Sequence, residues 1–369
     1  MSREAIGAVV DALGGAIVVE PIEVDDPGPG EVLVRIVANG VCHSDLWARE
    51  NGNWGAPLPM LLGHEGAGVV EALGDRVDGL SVGDPVVIAW AVPCGACAPC
   101  RRNQPRRCSH AWTQPPRMRR ARDGAPLAGV LACGTMATHT VVHAAQAIPM
   151  PPEIPFDRAC LLGCGVSTGV GAAVQTAEVL PGSSVAVIGL GGIGLSALQG
   201  ARIRGAERLI AVDIAPAKLA WAERFGATDV VDASATDPVD AVRRLTGGDG
   251  VDTAFEATGV PACVGQAVEM LAYAGTAVAI GVPPIPSEVT IAWNGSERAA
   301  YPHKANILIT DGGDPIPAED FPEMARWYLD GSLDLDGMIT RRIGIDDLDE
   351  AFRAMLAGEV IRSVVLFDR

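Results

Sequence analysis

Residues 183–194 read SSVAVIGLGGIG, and this stretch decides the architecture of the chain. VAVI has the length and apolar character of a buried strand. Behind it Gly189, Gly191 and Gly194 form G-x-G-x-x-G at the mouth of a helical stretch, LSALQGARIRG (195–205). Glycines at these positions permit a tight turn, close approach of backbone to a pyrophosphate, and close packing of helix on strand. The helix N-terminus then offers unpaired N–H groups and a favourable dipole to the anion. The pattern alone is weak; its context strengthens it. The next strand, RLIAVD (208–213), ends on Asp213, at about the ~20-residue spacing of the carboxylate that accepts ribose hydroxyls. A carboxylate there repels a 2′-phosphate, so NAD is expected rather than NADP. Gly192 and Ile193 complete the cofactor turn. Lys218, on the following helix, either reaches the same ribose or is a surface lysine.

The surrounding chain alternates strand and helix. PAKLAWAERFG (216–226) is helical and closed by Gly226; TDVVD, VDTAFEATG and GTAVAIGVPP are strands, separated by helical stretches at 237–245 and 261–272. Such alternation predicts an α/β domain with a doubly wound parallel sheet covered on both faces. Residues 1 to about 157 have another texture. EVLVRIVANGV, GAGVVEALG, DPVVIAWAV and ATHTVVHA read as strands with no long helical period between them, an irregular β-rich domain. Two helices near FPEMARWYLDG and LDEAFRAMLAGE and a last strand, RSVVLF, are expected in the tail. RMRRAR (117–122) reads as a solvated loop more readily than as an anion site.

PCGACAPCRRNQPRRC (93–108) sets Cys94, Cys97, Cys100 and Cys108 in a C-x2-C-x2-C-x7-C cluster. Four thiolates close a tetrahedral shell around zinc with no open position, so this metal is structural. Disulfides are the alternative, but bridges within a CxxC step are strained. A second set is scattered: Cys42 in GVCHSD, His64 in GHE and Cys164 in LLGCGVSTG. Singly, a cysteine is a small apolar filler and a histidine a satisfied core residue. Together they form a Cys2His set that leaves a fourth zinc position open. Asp45 is the candidate carboxylate behind His64. Glu65 is expected behind the metal or as a transient ligand. Two zinc ions per chain are therefore expected.

These residues carry a resemblance. GHEGAGVVEALGDRV, the four-cysteine lobe, GCGVSTGVGAA, VIGLGGIGLSALQGA and IRSVVLF occur in the order found in the zinc-dependent alcohol dehydrogenases of the medium-chain dehydrogenase/reductase superfamily. The chain resembles their class III-like branch, including mycothiol-linked formaldehyde dehydrogenases. The resemblance implies a GroES-like catalytic domain from residues 1–165 and 309–369, with the zinc lobe near 94–108, and a Rossmann NAD-binding domain at 166–308. It gives Ser44 the proton-relay hydroxyl, His43 and Arg362 the pyrophosphate, and Thr168 the nicotinamide. It sets Trp90 at a substrate-pocket wall, against a reading as core packing. The pocket also draws on Trp54 and Trp112. Trp47 stands where many members carry a relay histidine. Acidic residues that mark glutathione adducts are not evident in ARENGNWGAPLPM (48–60), and the 300–320 stretch departs from the family pattern.

The chain has 369 residues, 49% hydrophobic, with a formal net charge of −17. Length suggests two domains, and the charge argues against nucleic-acid or anionic-membrane partners. Nine cysteines without a recognisable secretion signal point to a reducing cytoplasm. The expectation is an NAD-dependent zinc oxidoreductase acting on a small alcohol or aldehyde, most often a homodimer in this family, with a tetramer next. Alternatives are an S-(hydroxymethyl)mycothiol-type formaldehyde dehydrogenase, a biosynthetic carbonyl reductase, and a non-catalytic nucleotide-binding module.

Overall fold

The computed structural model describes residues 2–54, 56–109, 117–284, 286–291 and 304–367. It divides into two units: Met1–Cys164 with Ile316–Gly331 and Leu335–Arg369, and Gly165–Pro315 with Ser332–Asp334.

In the second unit the described strands form one six-stranded sheet in the order Asp229–Asp232, Arg208–Asp213, Ser184–Ile188, Val251–Glu256, Leu271–Ala279, Asn306–Ile309. Every pairing is parallel. Parallel strands need crossovers, and the helices Gly192–Ile203, Pro216–Arg224, Pro238–Leu245 and Pro261–Glu269 supply them. Ala186, Ile188, Ile210, Val212, Ala254 and Ala277 build the buried seam. Strand order reverses at Ser184–Ile188, the place where such sheets take a ligand at their carboxyl ends. Asn306–Ile309 belongs to this sheet, and the unit runs on to Pro315. The boundary expected at 308/309 therefore lies later, because backbone pairing, not local composition, holds that strand.

The first unit is β-rich. A closed barrel joins Ser2–Val10, Ile17–Asp25, Met118–Arg120, Pro126–Gly129 and Met60–Leu61. A second sheet runs Ala147–Pro149, Pro85–Ile88, Gly66–Leu73, Glu31–Gly40, Arg362–Leu366, Ile339–Ile343, with His139–His143 also on Glu31–Gly40. The last strand of the chain thus lies against an early one, Val364 opposite Gly40. The nine-residue helix His43–Asn51 lies within the β-rich stretch, where the sequence reading, which excluded only a long helical period, placed no element. It is short, and it is held by burying Asp45 and Ala48 rather than by a strong period of its own. RMRRAR is not a free loop either. Met118–Arg120 is a barrel strand, Arg119 pairs with Glu23 and Asp25, and Arg120 with Asp11 and Asp123. Those acids neutralise the arginines, so no anion site remains.

Phe255, fully buried in the central strand Val251–Glu256, is among the largest enclosed side chains. Phe255→Ala should cost about 3–5 kcal/mol by leaving a cavity, read as a lowered midpoint in thermal unfolding of the second unit; an unchanged midpoint contradicts this packing.

Candidate active site

The first unit gathers Cys42, His64, Glu65 and Cys164, all buried, with one donor atom of each within 4.8 Å of the others. Cys42 caps the helix His43–Asn51, and Ser44 lies in its first turn. His64 and Glu65 precede the strand Gly66–Leu73, and Gly40 N–H donates to Glu65 O at 3.0 Å. Asp45, fully buried, accepts from Gly63 N–H at 2.8 Å and faces His64 Nδ1 at 3.2 Å. That carboxylate fixes the imidazole so that Nε2, buried and without a hydrogen-bond partner, is the free donor.

The ionisation of the cluster is cooperative. A hydrogen bond from Cys164, aided by His64, holds the Cys42 thiol well below its usual range despite burial. The same bond, with burial, pushes Cys164 well above it. Burial disfavours the imidazolium of His64, but Asp45 and Cys42 outweigh that and raise it. Burial lifts Glu65 to about 7 against the pull of Arg362. Metal binding by such a set displaces the protons it shares. Two sulfurs and an oriented imidazole are a zinc donor set, and the buried, unpartnered Nε2 fits it.

Arg362, implied at the pyrophosphate, has its Nη2 on Glu65, while its buried Nε has no partner. A Cβ on Gly40 would lie 1.9 Å from Glu65 Oε2 and 3.1 Å from Arg362 Nη2, so only glycine fits beneath this pair. Motif reading missed both features, because they exist only once the last strand pairs beside Glu31–Gly40. The sole local hint was the glycine two residues before Cys42.

Cys94, Cys97, Cys100 and Cys108 form the other cluster, again within 4.8 Å. Cys97 Sγ and Cys108 Sγ stand 3.8 Å apart, the edge of a tetrahedron with bonds of roughly 2.3 Å and too long for a disulfide. Backbone N–H groups of Ala96 and Cys97 donate to Cys94 Sγ at 3.4 and 3.3 Å. Hydrogen bonds from the backbone of Cys100 and Ser109 lower Cys97 to about 6, whereas burial raises Cys100 to about 12. Sulfurs surrounded by N–H donors suit a four-thiolate zinc site.

In the second unit the glycine loop fits a dinucleotide. Gly189 has φ +90°, and a Cβ there would lie 2.5 Å from Thr258 Cγ2. A Cβ on Gly194 would lie 1.8 Å from Gly189 O, whereas one on Gly191 meets nothing within 4 Å. Turn, close packing and an open approach thus fall at the expected three positions. Gly191 caps the helix Gly192–Ile203, so Gly192 and Ile193 begin its first turn. Asp213 is buried, accepts from Leu190 N–H at 2.8 Å and Ala215 N–H at 3.0 Å, and lies 3.9 Å from Lys218 Nζ. Thr168 is buried in the helix Gly165–Gly171.

Of the remaining site residues, His43 is exposed and Ser44 half-buried. Trp47 stacks on Trp54, centroids 4.7 Å apart at 26°. Trp90 is half-buried and packs on the main core of the first unit, so the core-packing reading holds for part of its surface. Trp112 lies outside the described residues. Among the described residues no single helix is long and apolar enough to cross a membrane.

Residues 28–152 match the family model described as the alcohol dehydrogenase GroES-like domain, and residues 192–330 the zinc-binding dehydrogenase model. The chain is 33% identical to the class-3 alcohol dehydrogenase of Cereibacter sphaeroides, over 98% of this chain and 99% of that one. An alcohol dehydrogenase zinc-binding domain protein from Burkholderia ambifaria superposes with a TM-score of 0.93 at 34% identity, covering 100% of both chains. Benzyl alcohol dehydrogenase from Acinetobacter calcoaceticus gives 0.90 at 30% identity, covering 99% of this chain and 100% of that one. With identity sustained along its whole length and both cysteine clusters assembled, the chain belongs to the zinc-dependent alcohol dehydrogenases of the medium-chain dehydrogenase/reductase superfamily.

Proposed function

We propose that this enzyme interconverts a primary alcohol and its aldehyde, with NAD as the hydride carrier and two zinc ions per chain. The observation that carries the reading is the Cys42–His64–Cys164 cluster with its histidine oriented by Asp45. Zinc held by that cluster would supply Lewis acidity, which makes an alcohol proton easier to lose. NAD supplies the hydride acceptor.

The chain's own residues do the rest. Cys42, His64 and Cys164 are the ligands, and Glu65, held by Arg362, stands in reserve beside them. Asp45 keeps the His64 tautomer constant, so the ligand does not have to reorganise. Ser44 carries the substrate proton away from the hydroxyl. Trp47 has no acid–base function, so the proton leaves Ser44 through water or the ribose. The loop at Gly191 and the N-terminus of Gly192–Ile203 receive the pyrophosphate, with His43 and Arg362 as cationic partners; Thr168 touches the nicotinamide. Asp213, assisted by Lys218, takes the ribose hydroxyls and excludes a 2′-phosphate. Cys94, Cys97, Cys100 and Cys108 hold the structural zinc. Trp47, Trp54 and Trp90 line the substrate pocket.

The exposed Ile307 and Ile309 on the edge strand Asn306–Ile309 favour a homodimer that extends this sheet. Nine cysteines with no disulfide between them suit a reducing cytoplasm. The chain's 33% identity to the S-(hydroxymethyl)glutathione dehydrogenase of Paracoccus denitrificans favours a second reading, oxidation of an S-hydroxymethyl thiol adduct. Formaldehyde oxidation that requires an added thiol distinguishes it.

The central test is Cys42→Ala, which should abolish NADH formation across aliphatic, allylic and aryl alcohols while NADH still binds by fluorescence titration. Full turnover in that variant refutes the assignment. Asp213→Ala should raise the NADP-to-NAD ratio of kcat/KM at least about tenfold, since a like-charge clash worth several kcal/mol is removed; an unmoved ratio rejects Asp213 as the discriminator. Cys97→Ser should lower zinc content toward one ion per chain and depress the unfolding temperature. Loss of catalysis at wild-type stability would reverse the roles of the two clusters.

A further inference from the structure

We infer that Asn53 is a positioning residue for substrate selectivity: it locks the Trp54 loop to the turn Gly129–Ala132, making a rigid apolar wall that selects flat, unsaturated alcohols. The inference rests on the dehydrogenase reading above and deepens it.

Asn53 is 4% exposed, and both ends of its carboxamide are used. Nδ2 donates to Gly129 O at 3.1 Å, and Oδ1 accepts from Leu131 N–H at 3.1 Å. No other side-chain type of this length offers a donor and an acceptor side by side. The backbone on either side is in an unusual state. Trp54 has φ +45°, Leu131 +52° and Ala132 +57°. Bulky residues seldom adopt this region, and they persist in it where the surroundings over-determine them. Here the carboxamide ties the two turns together, and Ala56 N–H, donating to Asn53 O at 2.8 Å, closes the turn around Trp54.

Further bonds extend the lock. Cys133 Sγ donates to Leu131 O at 3.3 Å. Gln146, fully buried, donates to Ala89 O at 3.2 Å and to Cys133 Sγ at 3.6 Å, and Ala89 precedes Trp90. Two buried amides therefore link the segments bearing Trp54, Leu131 and Trp90. This assembly abuts the reactive cluster. Thr135 N–H donates to Gly63 O at 3.0 Å and Met136 N–H to Leu62 O at 2.8 Å, fixing the chain beyond the turn to the residues before His64. Trp54 stacks on Trp47, one helical turn after Ser44. A fixed indole face rewards a flat ring or conjugated chain by stacking, and does so without an ordering cost only if it is already immobile. A short aliphatic alcohol gains nothing from it.

The test compares kcat/KM for benzyl alcohol and ethanol, with NAD, in zinc-loaded wild type, Asn53→Ala and Asn53→Asp. Wild type should favour benzyl alcohol. Asn53→Ala should lower kcat/KM for benzyl alcohol about tenfold or more, the scale of sub-ångström misplacement, and leave ethanol within about twofold at unchanged zinc content. Asn53→Asp keeps the acceptor for Leu131 and loses the donor, so its ratio should fall between the two; it carries the test if the alanine variant does not fold. A wild type that prefers ethanol, a benzyl-to-ethanol ratio unmoved in the variants, or a parallel loss on both substrates overturns the inference. A wild type that oxidises neither alcohol nor any other in the panel refutes the dehydrogenase reading, and this inference with it.

Discussion

The buried contact between Asp45 and His64 is the interaction on which the rest of the first unit turns. A carboxylate with no solvent exposure is tolerated only if partners satisfy it. Here they are the Gly63 N–H and the imidazole, 2.8 and 3.2 Å away and both on Oδ1, while the buried Oδ2 has no hydrogen-bond partner. The same contact aims Nε2 at the two sulfurs. A second buried ion pair, Glu65 with Arg362, belongs to the same cluster, with Arg362 Nε left unpartnered. Six ionisable or metal-binding side chains, Cys42, Asp45, His64, Glu65, Cys164 and Arg362, share one dry space because each offsets the charge of its neighbours.

That arrangement dictates the sheet around it. Cys42 follows the strand Glu31–Gly40, Glu65 precedes Gly66–Leu73, and Arg362 begins the strand that closes the chain. Gly66–Leu73 and Arg362–Leu366 each pair with Glu31–Gly40, which lies between them. The sheet is thus the device that makes residues hundreds of positions apart adjacent. Gly40 is where the device is most sensitive, since any side chain there would occupy the space of the Glu65 carboxylate. The second unit shows the same economy on a smaller scale: Gly189 and Gly194 are constrained by close neighbours, whereas a Cβ on Gly191 would meet nothing within 4 Å.

Much of this was legible in the chain itself. The strand–glycine–helix order of 183–205 and the acid at Asp213 are local, and backbone geometry follows from them directly. The helix expected at 216–226 and the strands at 208–213 and 362–367 were placed to within a residue or two, because their periodicity is strong. Expectations failed where pairing partners are remote. The helix His43–Asn51 has too weak a pattern to announce itself, Met118–Arg120 looks like a solvated run until acids from two other segments neutralise it, and Asn306–Ile309 joins a sheet that its composition does not advertise.

The sequence by itself determined the donor types, their spacing within each motif and the glycine turn between strand and helix, since these depend on residue chemistry and near-neighbour geometry. Only the tertiary structure decided that Cys164 meets Cys42, that Arg362 turns its guanidinium to Glu65, and that one buried carboxamide, Asn53, holds two strained turns together. Those outcomes depend on long-range strand pairing and on the need to satisfy every polar group removed from water, and neither is encoded in any short stretch of the chain.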